Sequence, residues 1–130
     1  MPKTTQLVLS LESKPGVLAK VARALSDAGV NITAMSAGDA AGRGKLRLVV
    51  SDPARATATL KAAKYRVTEE AAVILTLEHR PGALAGAAEK LAQARVNIKT
   101  AYATTTADGG RATVVLTVSN TDKALALLTP

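Results

Sequence analysis

The chain has 130 residues, of which 48% are hydrophobic, with no cysteine and only two aromatic residues, both tyrosine. The absence of cysteine excludes a disulfide framework and thiolate chemistry. The net charge of +7 permits contact with nucleic acid or an anionic membrane, but no dense basic run supports either. Because the polar start lacks the apolar core of a signal peptide and no apolar run could span a bilayer, we expect a cytoplasmic protein.

The first half of the chain reads as strand, helix, strand, strand, helix and strand. Apolar β-rich runs predict the strands, and apolar residues at helical spacing predict the helices. Gly29 is expected to end the first helix in the left-handed conformation, and Asp52 followed by Pro53 is expected to begin the second. The glycine-rich segment 38–44 is expected to be a loop. The predicted elements are 7–11, 16–28, 30–37, 45–50, 52–63 and 65–69.

The second half repeats this order without a last strand. A turn is predicted at Asp108, Gly109 and Gly110, and Asn120 is predicted to cap the final helix. We expect seven or eight strands in total, with the segment 65–69 as one candidate to fill the vacant edge. The predicted elements are 72–78, 82–94, 96–104, 111–118 and 120–128.

This order predicts an α+β chain of two ferredoxin-like βαββαβ units in tandem, with antiparallel sheets side by side and helices on one face. The expected domains are residues 1–70 and residues 71–130, the second apparently lacking its last strand.

A turn is repeated at an offset of 66 residues. Segments 11–19 and 77–85 both carry Leu-Glu, then Pro-Gly, then Leu-Ala, at the point where an apolar strand gives way to a helical pattern. Further along each copy, Asn31 and Asn97 follow a valine and precede an isoleucine. Pro-Gly by itself is an ordinary strand-to-helix turn, and the two asparagines could simply favour a turn.

With these motifs the chain resembles a tandem pair of ACT domains, small modules that regulate amino-acid metabolism. The resemblance covers nearly the whole chain and implies a non-catalytic protein that binds an amino acid or related metabolite between paired ACT domains. By position it implies contacts from the turn, the helix start and the start of the second strand. In the first copy these residues are Ser13, Lys14, Pro15, Gly16, Val17, Leu18, Asn31 and Ile32. In the second copy they are His79, Arg80, Pro81, Gly82, Ala83, Leu84, Asn97 and Ile98.

Elementary chemistry is consistent with this site. A helix start presents unpaired N–H groups and a partial positive charge that suit a carboxylate, and an asparagine amide can both donate and accept. Two departures stand out. The family often carries Asn where Ser13 and His79 stand, and Arg95 replaces the helix-ending Gly29 of the first copy, at a cost of roughly 1 kcal/mol if φ is positive there.

Other classes of function receive little support. No second histidine or cysteine accompanies His79, so no metal or cofactor is expected, and no phosphate loop or catalytic triad is evident. Without Phe or Trp, the sheet lacks the stacking residues of RNA-binding ferredoxin-like domains, so neither nucleic acid nor membrane is an expected partner.

Two interpretations remain: an amino-acid sensor, and a ligand-free interaction module that docks on a metabolic enzyme. A homodimer is expected in either case, because the sheet face opposite the helices would carry Leu46, Leu48 and Val50, or the alternate set of side chains, and would need covering.

Overall fold

The computed structural model describes residues 3–105 and 109–128, which form two compact units. The amino-terminal unit is Thr5–Glu70, and the carboxy-terminal unit contains the described residues of Met1–Thr4 and Ala71–Pro130. Together they hold six strands and four helices within the described residues. In chain order these are β1 (Lys3–Glu12), α1 (Val17–Asp27), β2 (Ile32–Ala40), β3 (Arg43–Val50), α2 (Pro53–Ala62), β4 (Val67–Glu78), α3 (Ala83–Gln93), β5 (Ile98–Thr105), β6 (Arg111–Val118) and α4 (Thr121–Leu128).

The amino-terminal unit is an antiparallel sheet with two helices on one face. β3 lies between β2 and β1, with Met35 and Leu7 both paired to Leu48. The first residues of β4 lie beside β1, where the Nε2 of buried Gln6 donates to the Glu70 carboxylate at 2.7 Å. Alternate residues of β1 and β3 pack with the inner faces of the helices, because side chains of a strand alternate between the two faces. The fully enclosed core consists of Leu7, Leu9, Val21, Leu25, Val30, Leu46, Leu48, Val50, Ala56 and Leu60.

The carboxy-terminal unit repeats this arrangement with β6 between β4 and β5. Leu75 pairs with Val114, and Leu116 pairs with both Val73 and Ala101. Its core is Val73, Leu75, Ala87, Leu91, Val96, Val114, Leu116, Val118 and Ala124. Lys3 and Thr4 of β1 belong to this unit, and the Lys3 ammonium lies 3.6 Å from the Asp122 carboxylate. The predicted α+β class with ferredoxin-like units is confirmed.

The helix signals read from the sequence are confirmed. The Asp52 carboxylate accepts from the N–H of Arg55, and the Asn120 side chain accepts from the N–H of Lys123, both at 3.0 Å. Gly29 ends the first helix at φ 74, and Arg95 adopts φ 60 at the matching position.

Three expectations about the strands were wrong. The segment 38–40, predicted as loop, continues β2 to a two-residue turn at Ala41 and Gly42, whose φ values of 54 and 81 suit a tight hairpin. The segments 65–69 and 72–78, predicted as two strands, form most of the single strand β4, since no turn residue separates them. The described residues therefore hold six strands instead of seven or eight. The predicted turn at 108–110 falls partly on Asp108, which lies outside the described residues.

Side-chain orientation shows which alternate set of β3 side chains faces the helices. Leu46, Leu48 and Val50 lie on the face that packs against the helices, so the alternate set of β3 faces away from them. Leu18 and Leu84, two of the candidate contact residues, are 43% and 51% exposed, and each lies in the first turn of its helix.

Candidate functional site

The two Pro-Gly turns have nearly identical backbones. Gly16 has φ 88 and Gly82 has φ 90, and each is the residue immediately before a helix. A Cβ at either position would meet nothing within 4 Å, so the positive φ, and not lack of space, calls for glycine. The repetition of Pro-Gly is therefore explained by the backbone of a strand-to-helix turn.

Each turn begins a helix whose first N–H groups are only partly used. The N–H of Val17 donates to Lys14 O at 3.4 Å and that of Lys20 to Gly16 O at 3.0 Å. The N–H groups of Leu18 and Ala19 donate to no turn carbonyl within the described residues. The start of α1 therefore offers two donors and the positive end of a helix.

The basic side chain of each turn is held by an acidic residue two positions earlier. Lys14 Nζ lies 3.4 Å from a Glu12 carboxylate oxygen, and Arg80 Nε lies 2.9 Å from a Glu78 carboxylate oxygen. All four side chains are exposed, so each pair contributes at most about 1 kcal/mol. In each turn the acidic partner offsets the charge of the basic side chain.

A cleft of about 240 Å³ opens beside the turn of the amino-terminal unit. Its upper wall is the start of α1, and its floor is the end of β1 with the β2–β3 hairpin. The lining residues are Leu11, Glu12, Ser13, Lys14, Val17, Leu18, Ala37, Gly38, Asp39, Gly44, Lys45 and Leu46.

The floor of this cleft depends on Gly44. The register pairs Gly44 with Leu11 on one side and Asp39 on the other, so these three positions share the helix-facing side of the sheet. A Cβ on Gly44 would lie 3.2 Å from the Gly38 carbonyl oxygen. The Asp39 carboxylate forms no ion pair within 4 Å among the described residues. The cleft thus combines a free carboxylate, a Glu–Lys pair and a helix start.

The carboxy-terminal unit does not reproduce this cleft. The register places Ala112 where Gly44 stands and Thr105 where Asp39 stands, so a methyl replaces the open floor and a hydroxyl replaces the carboxylate. The cavity beside its turn, also about 240 Å³, instead lies between α3, β4 and the end of α4. It is lined by Leu75, Leu77, Arg80, Gly82, Ala83, Gly86, Ala87, Lys90 and Leu128.

Asn31 and Asn97 lie at the other end of their units from the Pro-Gly turns. The Asn31 N–H donates to Ser51 Oγ at 2.9 Å, and the Asn97 N–H donates to Ser119 Oγ at the same distance. Ile32 pairs with Val50 at one end of β3, whereas Glu12 pairs with Arg43 at the other. A single unit therefore does not bring its own asparagine to its own turn.

The remaining predicted residues divide as follows. Ser13, Lys14, Val17 and Leu18 line the amino-terminal cleft, and Pro15 and Gly16 are exposed beside it. Arg80, Gly82 and Ala83 line the carboxy-terminal cavity, whereas His79, Pro81 and Leu84 are exposed outside its lining. Asn97 and Ile98 line a third, open pocket of about 440 Å³ with Arg95, Val96, Ala88 and Ala92.

Asp39 and Gly44 were missed by reasoning from sequence because the segment 38–44 was taken as a loop. The signal that locates them is the two-residue turn at Ala41 and Gly42, which sets the cross-strand register and so aligns residue 39 with residue 44.

Two further tests of site chemistry concern the described residues. Within 3–105 and 109–128, no three His, Asp or Glu side chains converge as a metal site. None of the helices in this part of the chain is long and apolar enough to cross a bilayer.

Comparison with known proteins gives one family and several structures. Residues 3–129 match the family described as ACT domain pair. The chain is similar to protein BT0572 from Bacteroides thetaiotaomicron, with 32% identity, a TM-score of 0.91, and coverage of 97% of this chain and 86% of that one.

The regulatory subunits of aspartate kinase from Thermus thermophilus, in a ligand-free form, and from Thermus flavus share the fold. The first has 18% identity, a TM-score of 0.71 and coverage of 98% and 88% of the two chains. The second has 19% identity, a TM-score of 0.70 and coverage of 98% and 89%. No curated protein was similar enough in sequence to add to these matches.

Proposed function

Because this chain belongs to the ACT domain pair family, we propose that it is a non-catalytic, cytoplasmic regulator of amino-acid metabolism that binds an α-amino acid or a closely related metabolite. In this proposal residues 1–70 and 71–130 are the two ACT domains. The observation that carries the proposal is the cleft beside the first Pro-Gly turn, with a carboxylate, a Glu–Lys pair and a helix start around a glycine floor.

The chemistry of the cleft fits a small zwitterion. The free N–H groups of Leu18 and Ala19, with the helix end behind them, suit a carboxylate, while Asp39 suits an ammonium group. A volume of about 240 Å³ lies below the 300–1,000 Å³ typical of sites for drug-sized ligands. The walls formed by Val17, Leu18 and Ala37 would then contact the side chain of the amino acid.

The two turns are proposed to differ in use. The amino-terminal turn is the ligand site, because Gly44 leaves the floor open and Asp39 supplies charge. The carboxy-terminal turn has the same backbone geometry, but Ala112 stands in place of Gly44 and Thr105 in place of Asp39. The predicted contacts at the second turn, residues 79–84, then serve chiefly to shape that turn.

Asn31 and Asn97 enter the proposal through pairing of ACT domains. Since a unit holds its asparagine and its turn at opposite ends, a ligand that touches both kinds of residue must lie between two domains. We therefore propose a homodimer as the working form. Static light scattering at micromolar concentration measures this, and a monomeric mass would count against it.

The function is tested by thermal denaturation with each of the twenty amino acids at 10 mM. A ligand at one hundred times its Kd stabilises the folded state by about 2.7 kcal/mol, which is a shift well above error. We expect at least one amino acid to raise the midpoint. If none does, the sensor interpretation is wrong and the ligand-free module that docks on a metabolic enzyme takes its place.

The location of the site is tested by replacing residues of the cleft with those at the matching positions of the carboxy-terminal unit. Asp39→Thr copies the carboxy-terminal unit and should abolish the shift while leaving the fold intact. Gly44→Ala should also abolish it, after a small backbone shift at Gly38, whose carbonyl oxygen lies 3.2 Å from the added Cβ. Ala112→Gly is the matched control and should leave the shift unchanged. Asn31→Ala and Asn97→Ala should each weaken binding, as measured by titration calorimetry, if the site lies between domains.

A further inference from the structure

Three basic side chains lie in line on the face of the amino-terminal unit that is turned away from α1 and α2. Arg43, Lys45 and Arg47 alternate along β3 with Leu46 and Leu48, which belong to the helix-covered core. Because alternate residues of a strand share a face, the three cations are spaced at about 6.5 Å. We call Arg43, Lys45 and Arg47 the β3 basic strip.

Arg43 and Lys45 of the strip are exposed and Arg47 is half-buried, and none of the three has an acidic partner among the described residues. Glu12, which pairs across from Arg43, is engaged by Lys14 at 3.4 Å. In the part of the chain that the structure describes, no ion pair within 4 Å includes a residue of the strip. The cross-strand neighbours of the strip are otherwise short or uncharged: Ala40, Gly38 and Ser36 on β2, and Ser10 and Val8 on β1.

Arg47 carries a second sign that an acceptor is missing. Its Nε atom is buried and has no hydrogen-bond partner, whereas Arg43 donates from Nη2 to Ser10 Oγ at 3.3 Å. A buried donor without an acceptor is costly. A carboxylate that meets a guanidinium side-on accepts from Nε and one Nη together, so an acidic partner would satisfy this donor once the half-buried Arg47 side chain turns outward.

The second copy shows that the fold does not require these charges. The register places Arg111, Thr113 and Val115 of β6 where Arg43, Lys45 and Arg47 stand on β3. The same strand thus folds with one cation in the carboxy-terminal unit and three in the amino-terminal unit. The cations at 45 and 47 are therefore not needed for the strand to pair.

We propose that the β3 basic strip is a docking surface for an extended acidic segment of a partner protein. Carboxylates at every second position of an extended chain have the same spacing as the strip. Nucleic acid fits less well, because β1, β2 and β3 contain no aromatic residue on which a base could stack. A second copy docked by the same face would oppose its own cations.

The test uses a fluorescent twelve-residue peptide of alternating Glu and Ser, followed by anisotropy in 20 mM NaCl. The variant Lys45→Thr with Arg47→Val copies the residues of β6, so it should fold and should bind about tenfold more weakly. The control Lys61→Gln with Arg66→Gln removes the same charge from exposed positions elsewhere and should bind as the wild type does. Binding of the wild type should weaken as salt rises.

The same titration decides among the alternatives. If the control variant loses as much affinity for the peptide as the strip variant does, net charge alone explains the binding and the proposal is overturned. Unchanged binding by the strip variant would also overturn it. The wild type could also bind ten-residue oligothymidylate, or vesicles containing anionic lipid, more tightly than the peptide. If the strip variant abolishes that binding, the partner is not a protein segment and the proposal is wrong. If the strip variant loses thermal stability, Lys45→Gln with Arg47→Gln replaces it.

Discussion

Arg95 offers a test of backbone strain, because the same turn contains glycine in one unit and arginine in the other. Arg95 has φ 60 and Gly29 has φ 74, and each follows the end of a helix. The left-handed conformation costs an L-residue about 1 kcal/mol or more, whereas glycine adopts it freely. Glycine also makes the unfolded chain more flexible, which offsets part of the gain in the free energy of unfolding. Arg95→Gly should therefore raise the free energy of unfolding by about 0.5 to 1 kcal/mol.

Gly29→Ala should change the free energy of unfolding by a similar amount in the opposite direction. The nearest atom to a Cβ at Gly29 is Arg55 Nη1 at 3.9 Å, an ordinary contact, so only the backbone angle opposes the substitution. Arg95→Ala is the matched control, because it removes the guanidinium and keeps a Cβ at positive φ. Its stability should stay within about 0.5 kcal/mol of the wild type.

Urea denaturation followed by circular dichroism measures these differences, with an unchanged slope showing that the unfolded state is comparable. The reasoning is refuted if Arg95→Gly is no more stable than Arg95→Ala. That result would mean that the turn relaxes around the arginine without strain.

Three other predictions concern local structure and the cores. Removing either helix cap, with Asp52→Ala or Asn120→Ala, should cost about 1 kcal/mol in urea denaturation, and no loss would show that the cap bonds contribute nothing. Ala41→Asn should stabilise the hairpin by about 0.5 kcal/mol, because Asn tolerates φ 54 before Gly42 better than Ala does; a lower urea midpoint would contradict this. Leu25→Ala and Leu91→Ala should each cost about 2–5 kcal/mol, since both side chains are 0% exposed, and a loss below 1 kcal/mol by the same assay would refute the assignment of the cores.

Much of the local structure was predictable from sequence. Pro-Gly, Asp52-Pro53, Asn120 and Gly29 act through φ angles and hydrogen bonds within a few residues of themselves. Their positions therefore predict where helices begin and end whatever the rest of the fold does. The order of strands and helices in each half follows from the hydrophobic period for the same reason.

The errors arose where long-range pairing decides. The segment 38–40 looks like loop because it contains Gly and Asp, yet pairing with β3 extends it as strand to Ala40. The sequence also does not determine which alternate set of β3 side chains faces the helices, since a one-residue shift in register exchanges the two faces. Only the observed register places Leu46 and Leu48 in the core and Arg47 outside it.

The sequence by itself determined that this chain carries the same strand-to-helix turn twice, because a glycine at positive φ after proline is a local requirement. Tertiary structure decided what each turn faces. Cross-strand register places Gly44 and Asp39 beneath one turn and Ala112 and Thr105 beneath the other. It also holds Asn31 and Asn97 at the far end of their units. Those relations join residues far apart in sequence, and no local preference encodes them.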